Sequence, residues 1–399
     1  MPPVNFLLAR CGHADPERLA AYQNSGGLAA LEKAHQLGPR RVIEELETSG
    51  LVGRGGAAFP CGRKWAAVAA ADAPSKYVIC NADESEPGTF KDRKLMEEDP
   101  FAVLEALLIA GFAVGASRGY IYVRGEYALA ARRLQNALDQ LRQGGYLGQF
   151  EVELRRGGGA YVCGEETALM NSIEGRRGEP RSKPPFPTER GLFAAPTLMN
   201  NVETLVNVPL IVDRGGEWYK SIGTPGLVGP KLFCLSGHVR RPGVYEVAGG
   251  TPLRELLEEH AGGVAGRNFQ AVLMGGAAGT YLLPDKFDVA LDYPALRAVG
   301  ASIGSGSVIA FNESVDMWAM VTSFAEFFAE ESCGQCVPCR LGTHRQVELL
   351  HRLASQPAEA GLLRDLGEGM QAASICGLGQ TAATQVISAL ETFSLPGRS

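Results

Sequence analysis

A chain of 399 residues with 45% hydrophobic and 21% charged side chains is long enough for two or three domains and has a globular composition. Its formal net charge of −6, with no basic run interleaved with aromatics, argues against a nucleic-acid surface. No secretory leader is expected at the N-terminus, so the nine cysteines point to a reducing compartment and to metal or cluster chemistry rather than disulfides.

Residues 1–45 read as a polar leader with a helix expected around 27–46. From 46 to about 225, apolar strand-like runs at 77–80 and 120–123 alternate with helical patterns. Residues 101–115, interrupted by Glu105, are too short to span a bilayer and read as a buried helix. Residues 128–142 carry Ala131, Leu134, Leu138 and Leu141 at helical spacing. Such alternation predicts a layered α/β domain. The block 231–310 is strand-rich, with turns at 241–243 and 249–250. One helix is expected there over 252–260, with Thr251 as N-cap and Pro252 at the first helical position. From 315 to 399 the pattern is helical.

The chain has fifty glycines, with clusters such as those at 53–56, 157–159 and 275–276, the sort of places where backbone turns sharply or approaches a ligand. No G-x-G-x-x-G or phosphate-loop fingerprint is present. The run 53–60, followed by Lys64 and Trp65, offers backbone N–H groups and a cation to a phosphate, although a plain turn fits it equally. Residues 81–88 follow an apolar strand, and strand ends are where ligand sites of α/β sheets lie. Three carboxylates in four residues also describe a solvated turn. A second glycine loop, 157–164, ends in Glu165 and Glu166 at an expected helix start, where the helix dipole itself favours acids.

Near the C-terminus Cys333, Cys336 and Cys339 stand at two-residue spacing, and Cys376 follows. Four such thiolates suit a four-iron, four-sulfur cluster. Zinc more often takes two separated C-x-x-C pairs, and a thioredoxin-type pair leaves two thiols idle. Pro338 favours a loop at this point. The scattered Cys11, Cys61, Cys80, Cys163 and Cys234 read as small buried hydrophobes.

From about residue 40 to 390 the chain resembles the NADH-binding flavoprotein subunit of respiratory complex I and its relatives in NAD-linked hydrogenases and formate dehydrogenases. The resemblance rests on residues 53–60, 81–93, 161–187, 200–204 and 331–340, in that order. It implies a non-classical FMN- and NADH-binding α/β domain over 46–225, a β-grasp-like domain over 231–310 and a helical bundle over 315–399 carrying a [4Fe–4S] cluster. FMN would be held by Gly53, Arg54, Gly55, Lys64, Asn81, Asp83, Gly164, Glu165, Asn200, Asn201 and Thr204, with Gly56 and Glu84 in the same set. NADH would lie near Phe59, Glu86, Tyr161, Glu166 and Phe186. Glu86 and Glu166 position it and have no covalent role. Cys333, Cys336, Cys339 and Cys376 would ligate the cluster.

The implied reaction is hydride transfer between NAD(H) and FMN, then single-electron transfer through the cluster to a partner. A carboxylate beside the adenosine ribose would repel a 2′-phosphate, which favours NADH over NADPH. The implied partners are a small [2Fe–2S] thioredoxin-like subunit and a larger iron–sulfur subunit, with no nucleic acid and no membrane insertion. The implied location is the cytoplasm, including the inner face of the membrane within a peripheral arm. Ala67 stands where some relatives carry a large apolar residue, and residues 376–381 look closer to the soluble hydrogenase and formate dehydrogenase group. A non-catalytic nucleotide-sensing or scaffolding subunit is the competing reading. Erosion of the flavin or cluster residues would mark it, and all of them are present.

Overall fold

The computed structural model describes residues 4–395. Its first sheet contains β1 (Tyr77–Ala82), β2 (Arg118–Val123), β3 (Glu151–Arg156) and β4 (Thr197–Asn201), all parallel, in the order β3-β2-β1-β4. β1 therefore has β2 on one side and β4 on the other. The strand order reverses between β1 and β4, and such a switch point opens a crevice at the carboxyl ends of the strands. Asn81 pairs in register with Asn201 and Cys80 with Asn200, so both asparagine-bearing ends meet there.

Side chains alternate across the sheet. Val78, Cys80, Ala82, Ile121, Val123 and Leu198 share one core with the helices Pro100–Val114, Ala128–Gln143 and Val202–Arg214. The helix Pro100–Val114 is apolar on every side and buried nearly throughout, the pattern of a core helix. Ile79, Tyr120, Tyr122 and Met199 face the other way. They pack on the helix Glu166–Ile173 and join the core of the C-terminal bundle.

A two-stranded turn, β5 (Gly223–Thr224) with β6 (Leu227–Val228), leads into a second sheet. It comprises β7 (Pro230–Gly237), β8 (Gly243–Ala248), β9 (Phe269–Met274), β10 (Thr280–Leu282) and β11 (Ser307–Asn312), ordered β10-β9-β11-β7-β8. Only β7 and β11 run parallel. Phe233, Leu235, Val272, Met274 and Val308 form its own core with Leu253, Leu256 and Phe287. The expected helix over 252–260 is a short turn, Leu253–Glu255, continued by π-helical turns over Leu256–His260. Thr251 does not cap it. Its hydroxyl donates to the Ala248 carbonyl at 2.9 Å.

The helices Met317–Glu331, Val337–Arg352, Ala360–Ala373, Gly377–Thr381 and Thr384–Thr392 form the bundle. Its core is continuous with the near faces of both sheets, through Met199 and Tyr122 on one side and Leu273 and Phe311 on the other. The expected helix over 27–46 is two helices, Ala29–Leu37 and Pro39–Ser49, broken at Gly38, whose φ of 81° an L side chain resists. The second crosses residue 45, and Leu31, Ala34 and Val42 lie in the main core, so residues 4–45 pack with the domain that follows instead of forming a separate polar leader. The N–H groups of Phe6, Leu7 and Leu8 all donate to the Glu246 carboxylate on β8, tying the start of the chain to the second sheet.

Candidate functional site

The crevice between the ends of β1 and β4 gathers four separate stretches. The loop 53–56 lies over β4: a Cβ on Gly55 would stand 3.1 Å from the Asn201 side chain. The Arg54 N–H donates to Thr204 Oγ1 at 2.8 Å, in the first turn of the helix Val202–Arg214. From the other side, Asn81 Nδ2 donates to the Gly164 carbonyl at 2.9 Å. A Cβ on Gly164 would stand 3.4 Å from the Asp83 carbonyl. Glycine at 55 and 164 thus lets two loops close on the strand ends.

Several residues of the implied flavin set hold this frame with their side chains. Asn200 accepts from Trp65 Nε1 at 2.9 Å. Asn201 caps the helix behind it, accepting from Glu203 N and donating to Asp92. Lys64 Nζ donates to the Met199 carbonyl at 3.2 Å and lies over the half-exposed Phe59 ring. Arg54 differs from a free phosphate-binding cation. Its buried guanidinium donates to Val228 O and Tyr219 Oη, while Nε and Nη1 lack partners. Glu84 is also committed elsewhere, because its carboxylate accepts from Asp92 N and Arg93 N at 2.9 Å each at the start of the helix Lys91–Glu98. Burial pushes its carboxyl up to about 7, with Asp92 adding to the rise. The Glu84 carboxylate is thus turned to the backbone, whereas Arg54 keeps two buried nitrogens free of protein partners.

Behind the crevice lies a buried charge cluster that the sequence reading missed. Glu203 accepts from Lys231 Nζ at 2.8 Å, Lys91 Nζ at 3.1 Å and Leu232 N at 2.9 Å. Burial opposes its ionisation, but Lys231, Lys91 and Arg54 outweigh burial and hold the carboxyl below its usual range. Nothing in the local pattern marks these residues, since a charge beside a strand ordinarily faces water.

Asp83 carries the clearest sign of a missing ligand. It is 8% exposed, and neither carboxylate oxygen has a hydrogen-bond partner. Burial pushes its carboxyl up to about 7 against the pull of Arg124 and Ser85. Buried polar atoms are ordinarily satisfied, and an orphaned carboxylate at a switch point fits a bound molecule with hydroxyl or N–H donors. The ribityl chain and ring edge of FMN have such donors, so the donor set and the glycine cradle fit the implied flavin.

Glu165 and Glu166 open the helix Glu166–Ile173. Glu165 accepts from Thr167 N at 2.8 Å and Ala168 N at 3.0 Å as its N-cap. Lys183 joins both acids, at 2.9 Å from Glu165 and 2.5 Å from Glu166. The half-exposed Phe186 follows on the same segment, and Ala67 is exposed on the helix Cys61–Ala70. Glu86 leans towards the second sheet, where Ser305 Oγ donates to it at 2.6 Å.

The helix Met317–Glu331, which leads into the cysteine segment, docks on the second glycine loop. The Tyr161 ring packs against Phe327 and Phe328, with centroids 5.3 and 6.2 Å away, and its N–H donates to Glu331 at 2.8 Å. Arg177 donates to the Cys333 carbonyl at 2.6 Å. Cys336 precedes the helix Val337–Arg352, and Cys376 precedes Gly377–Thr381. Pro338 lies in the first helical turn rather than in a loop, a position where proline's missing N–H costs nothing. Helix N-termini favour thiolate, the ligand form. Burial pushes the Cys339 thiol up to about 11, a cost removed when iron takes the thiolate. Cys339 and Cys376 are buried, whereas Cys333 and Cys336 are partly exposed. Among the described residues no three His, Cys, Asp or Glu side chains close on a single-ion point. The five scattered cysteines are all buried.

Comparison with known proteins matches each segment. The Nuo51 FMN-binding domain matches residues 46–210, the SLBB domain 231–294 and the NADH-ubiquinone oxidoreductase-F iron-sulfur binding region 319–395. The F 2 subunit of the NADH-quinone oxidoreductase of Rhizobium meliloti (strain 1021) is 45% identical over 97% of this chain and 95% of its own. The HndC subunit of the NADP-reducing hydrogenase of Solidesulfovibrio fructosivorans is 42% identical over 98% and 82%. A solved NAD+-reducing [NiFe]-hydrogenase in the H2-reduced state superposes with a TM-score of 0.87 at 36% identity, over 98% of this chain and 66% of that one.

Proposed function

Because the chain belongs to the family of NADH-quinone oxidoreductase F-type flavoprotein subunits, we propose that it moves electrons between NAD(H), FMN and a [4Fe–4S] cluster and hands them to clusters of partner subunits. It is an NADH:acceptor oxidoreductase, a diaphorase module within a complex I or NAD-linked hydrogenase assembly. FMN supplies the conversion between a hydride and single electrons, and the cluster supplies one-electron storage. The observation that carries the residue-level reading is the orphaned Asp83 carboxylate, set in a glycine-lined crevice whose second loop also abuts the helix leading into the cysteine segment.

In this reading Gly53, Gly55, Gly56 and Lys64 hold the phosphate end of FMN, while Asn81, Asp83 and Gly164 hold its ribityl and ring edge. Asn200, Asn201 and Thr204 fix the frame beneath it. Phe59 and Phe186 offer exposed aromatic faces to the adenine, and Glu86 and Glu166 orient the riboses of NADH. Lys183 keeps Glu166 in place and balances its charge. Cys333, Cys336, Cys339 and Cys376 ligate the cluster, with Tyr161 packed between flavin loop and bundle. No side chain acts as a nucleophile.

The proposed partners are a small [2Fe–2S] thioredoxin-like subunit and a larger iron–sulfur subunit. The proposed location is the cytoplasm, including the inner membrane face as part of a peripheral arm. No described helix is long and apolar enough to cross a membrane. The test is NADH:ferricyanide turnover by protein purified without oxygen. Bleaching of the flavin band with turnover supports the assignment, and a colourless protein without turnover refutes it.

A further inference from the structure

The middle domain reaches into the nucleotide crevice with two glycine turns. In the first, Gly275 and Gly276 have φ of 98° and 89° and follow β9. In the second, Gly304 and Gly306 have φ of 53° and 93° and flank Ser305 just before β11. These backbones are pressed together: a Cβ on Gly304 would overlap the Gly275 carbonyl. A Cβ on Gly276 would overlap the Glu86 carboxylate, and one on Gly56 would lie 3.8 Å from Gly304. The second domain is therefore in van der Waals contact with both the phosphate loop and the Glu86 segment.

Ser305 is the polar group at that contact. Its Oγ donates to Glu86 Oε2 at 2.6 Å and stands 2.9 Å from Thr89 Oγ1. Its carbonyl accepts from Lys231 Nζ at 3.3 Å, which ties the turn to the buried Glu203 cluster under the flavin frame. Ala278 N lies 3.4 Å from the other Glu86 oxygen. Glu86 would swing freely as a lone side chain on a loop. Here a residue some two hundred positions away, on another domain, fixes one of its oxygens.

We propose that Ser305 is a positioning residue for NADH, orienting the Glu86 carboxylate for the ribose hydroxyls, so that the middle domain forms one wall of the nucleotide site. The inference rests on the reading of Glu86 given above. Orientation of a charged acceptor acts on binding and not on the chemistry of the bound cofactors, so the effect falls on KM.

The test is steady-state NADH:ferricyanide kinetics of the FMN- and cluster-loaded protein carrying Ser305→Ala, Ser305→Thr or Glu86→Gln, with flavin content measured alongside. Losing a hydrogen bond to a charged group raises the KM for NADH about tenfold in Ser305→Ala, with kcat and flavin content held within about twofold. Ser305→Thr, which keeps the donor, restores the wild-type KM. An unchanged KM in Ser305→Ala overturns the proposal, as does failure of threonine to restore it. A fall of kcat and flavin content with the rise in KM also overturns it, since that is a packing role. If Glu86→Gln leaves KM unchanged, the reading of Glu86 fails and takes this inference with it. If Glu86→Gln raises KM and Ser305→Ala does not, the inference alone fails.

Discussion

Replacing Asp83 with asparagine separates a structural role from a ligand-holding one, because the two predict opposite signs. In the flavin-free protein the carboxyl titrates at about 7 against an ordinary value of 3.8. Between those values the native state holds a proton that the unfolded chain has released, so stability falls as pH rises through that window. At full ionisation the cost approaches about 4 kcal/mol as an upper bound, at about 1.4 kcal/mol per pH unit. Asparagine carries no such charge, so the flavin-free variant is more stable than wild type at pH 8 and near it at pH 4. On FMN binding the effect has the opposite sign. The donors that Asp83 lacks in the free protein come from the ligand, and hydrogen bonds to a charged acceptor contribute about 1.5–3 kcal/mol. FMN affinity therefore falls about ten- to a hundredfold in the variant at pH 8. Urea unfolding of deflavinated protein at both pH values, with flavin-fluorescence titration, reads both quantities. A variant that is less stable at pH 8 and binds FMN as wild type does would refute the assignment of Asp83.

Serine in place of Cys376 removes the cluster and leaves FMN in place, read by iron content and the flavin spectrum; loss of flavin as well would contradict the separation of the two sites. Glu203→Ala strands Lys231 without a carboxylate partner, while Lys91 keeps Asp92 at 2.8 Å, and costs about 3–5 kcal/mol in chemical unfolding. A change under about 1 kcal/mol would show that the cluster is hydrated in solution. The proposed site predicts a preference for NADH over NADPH in kcat/KM, because a carboxylate beside the adenosine ribose would repel a 2′-phosphate. One relative carries the name of an NADP-reducing hydrogenase, so equal activity with both nucleotides is the outcome that removes this point.

Much of the fold could be read from periodicity. The stretch 128–142 has its apolar residues on one helical face, and the structure has a helix at Ala128–Gln143. The apolar run 101–115, broken only by Glu105, matches Pro100–Val114. β4 was less legible: Thr197–Asn201 is short and half polar, and became visible only as the asparagine motif that ends it. The polarity of the expected leader over 1–45 hides a sparse apolar stripe, Leu31, Ala34 and Val42, that packs into the main core. At the site, glycine and asparagine motifs announced themselves by local pattern. The long-range partners did not. Lys183 pairs with acids 17 and 18 positions earlier, and Ser305 reaches Glu86 across 219. Glu84 looked like a ligand group among other acids, but an acid a few residues ahead of a helix can equally reach its first N–H groups, as Glu84 does at Asp92 and Arg93.

The central claim is that electrons from NADH reach an iron–sulfur cluster held by the C-terminal thiols. Electron paramagnetic resonance of anaerobically purified protein, before and after one equivalent of NADH, tests it most directly. A reduced [4Fe–4S] signal should appear on addition of NADH in protein containing about four iron atoms per chain, and vanish in Cys339→Ser. An NADH-treated sample with full flavin and iron content but no cluster signal, or one holding zinc in place of iron, would contradict it.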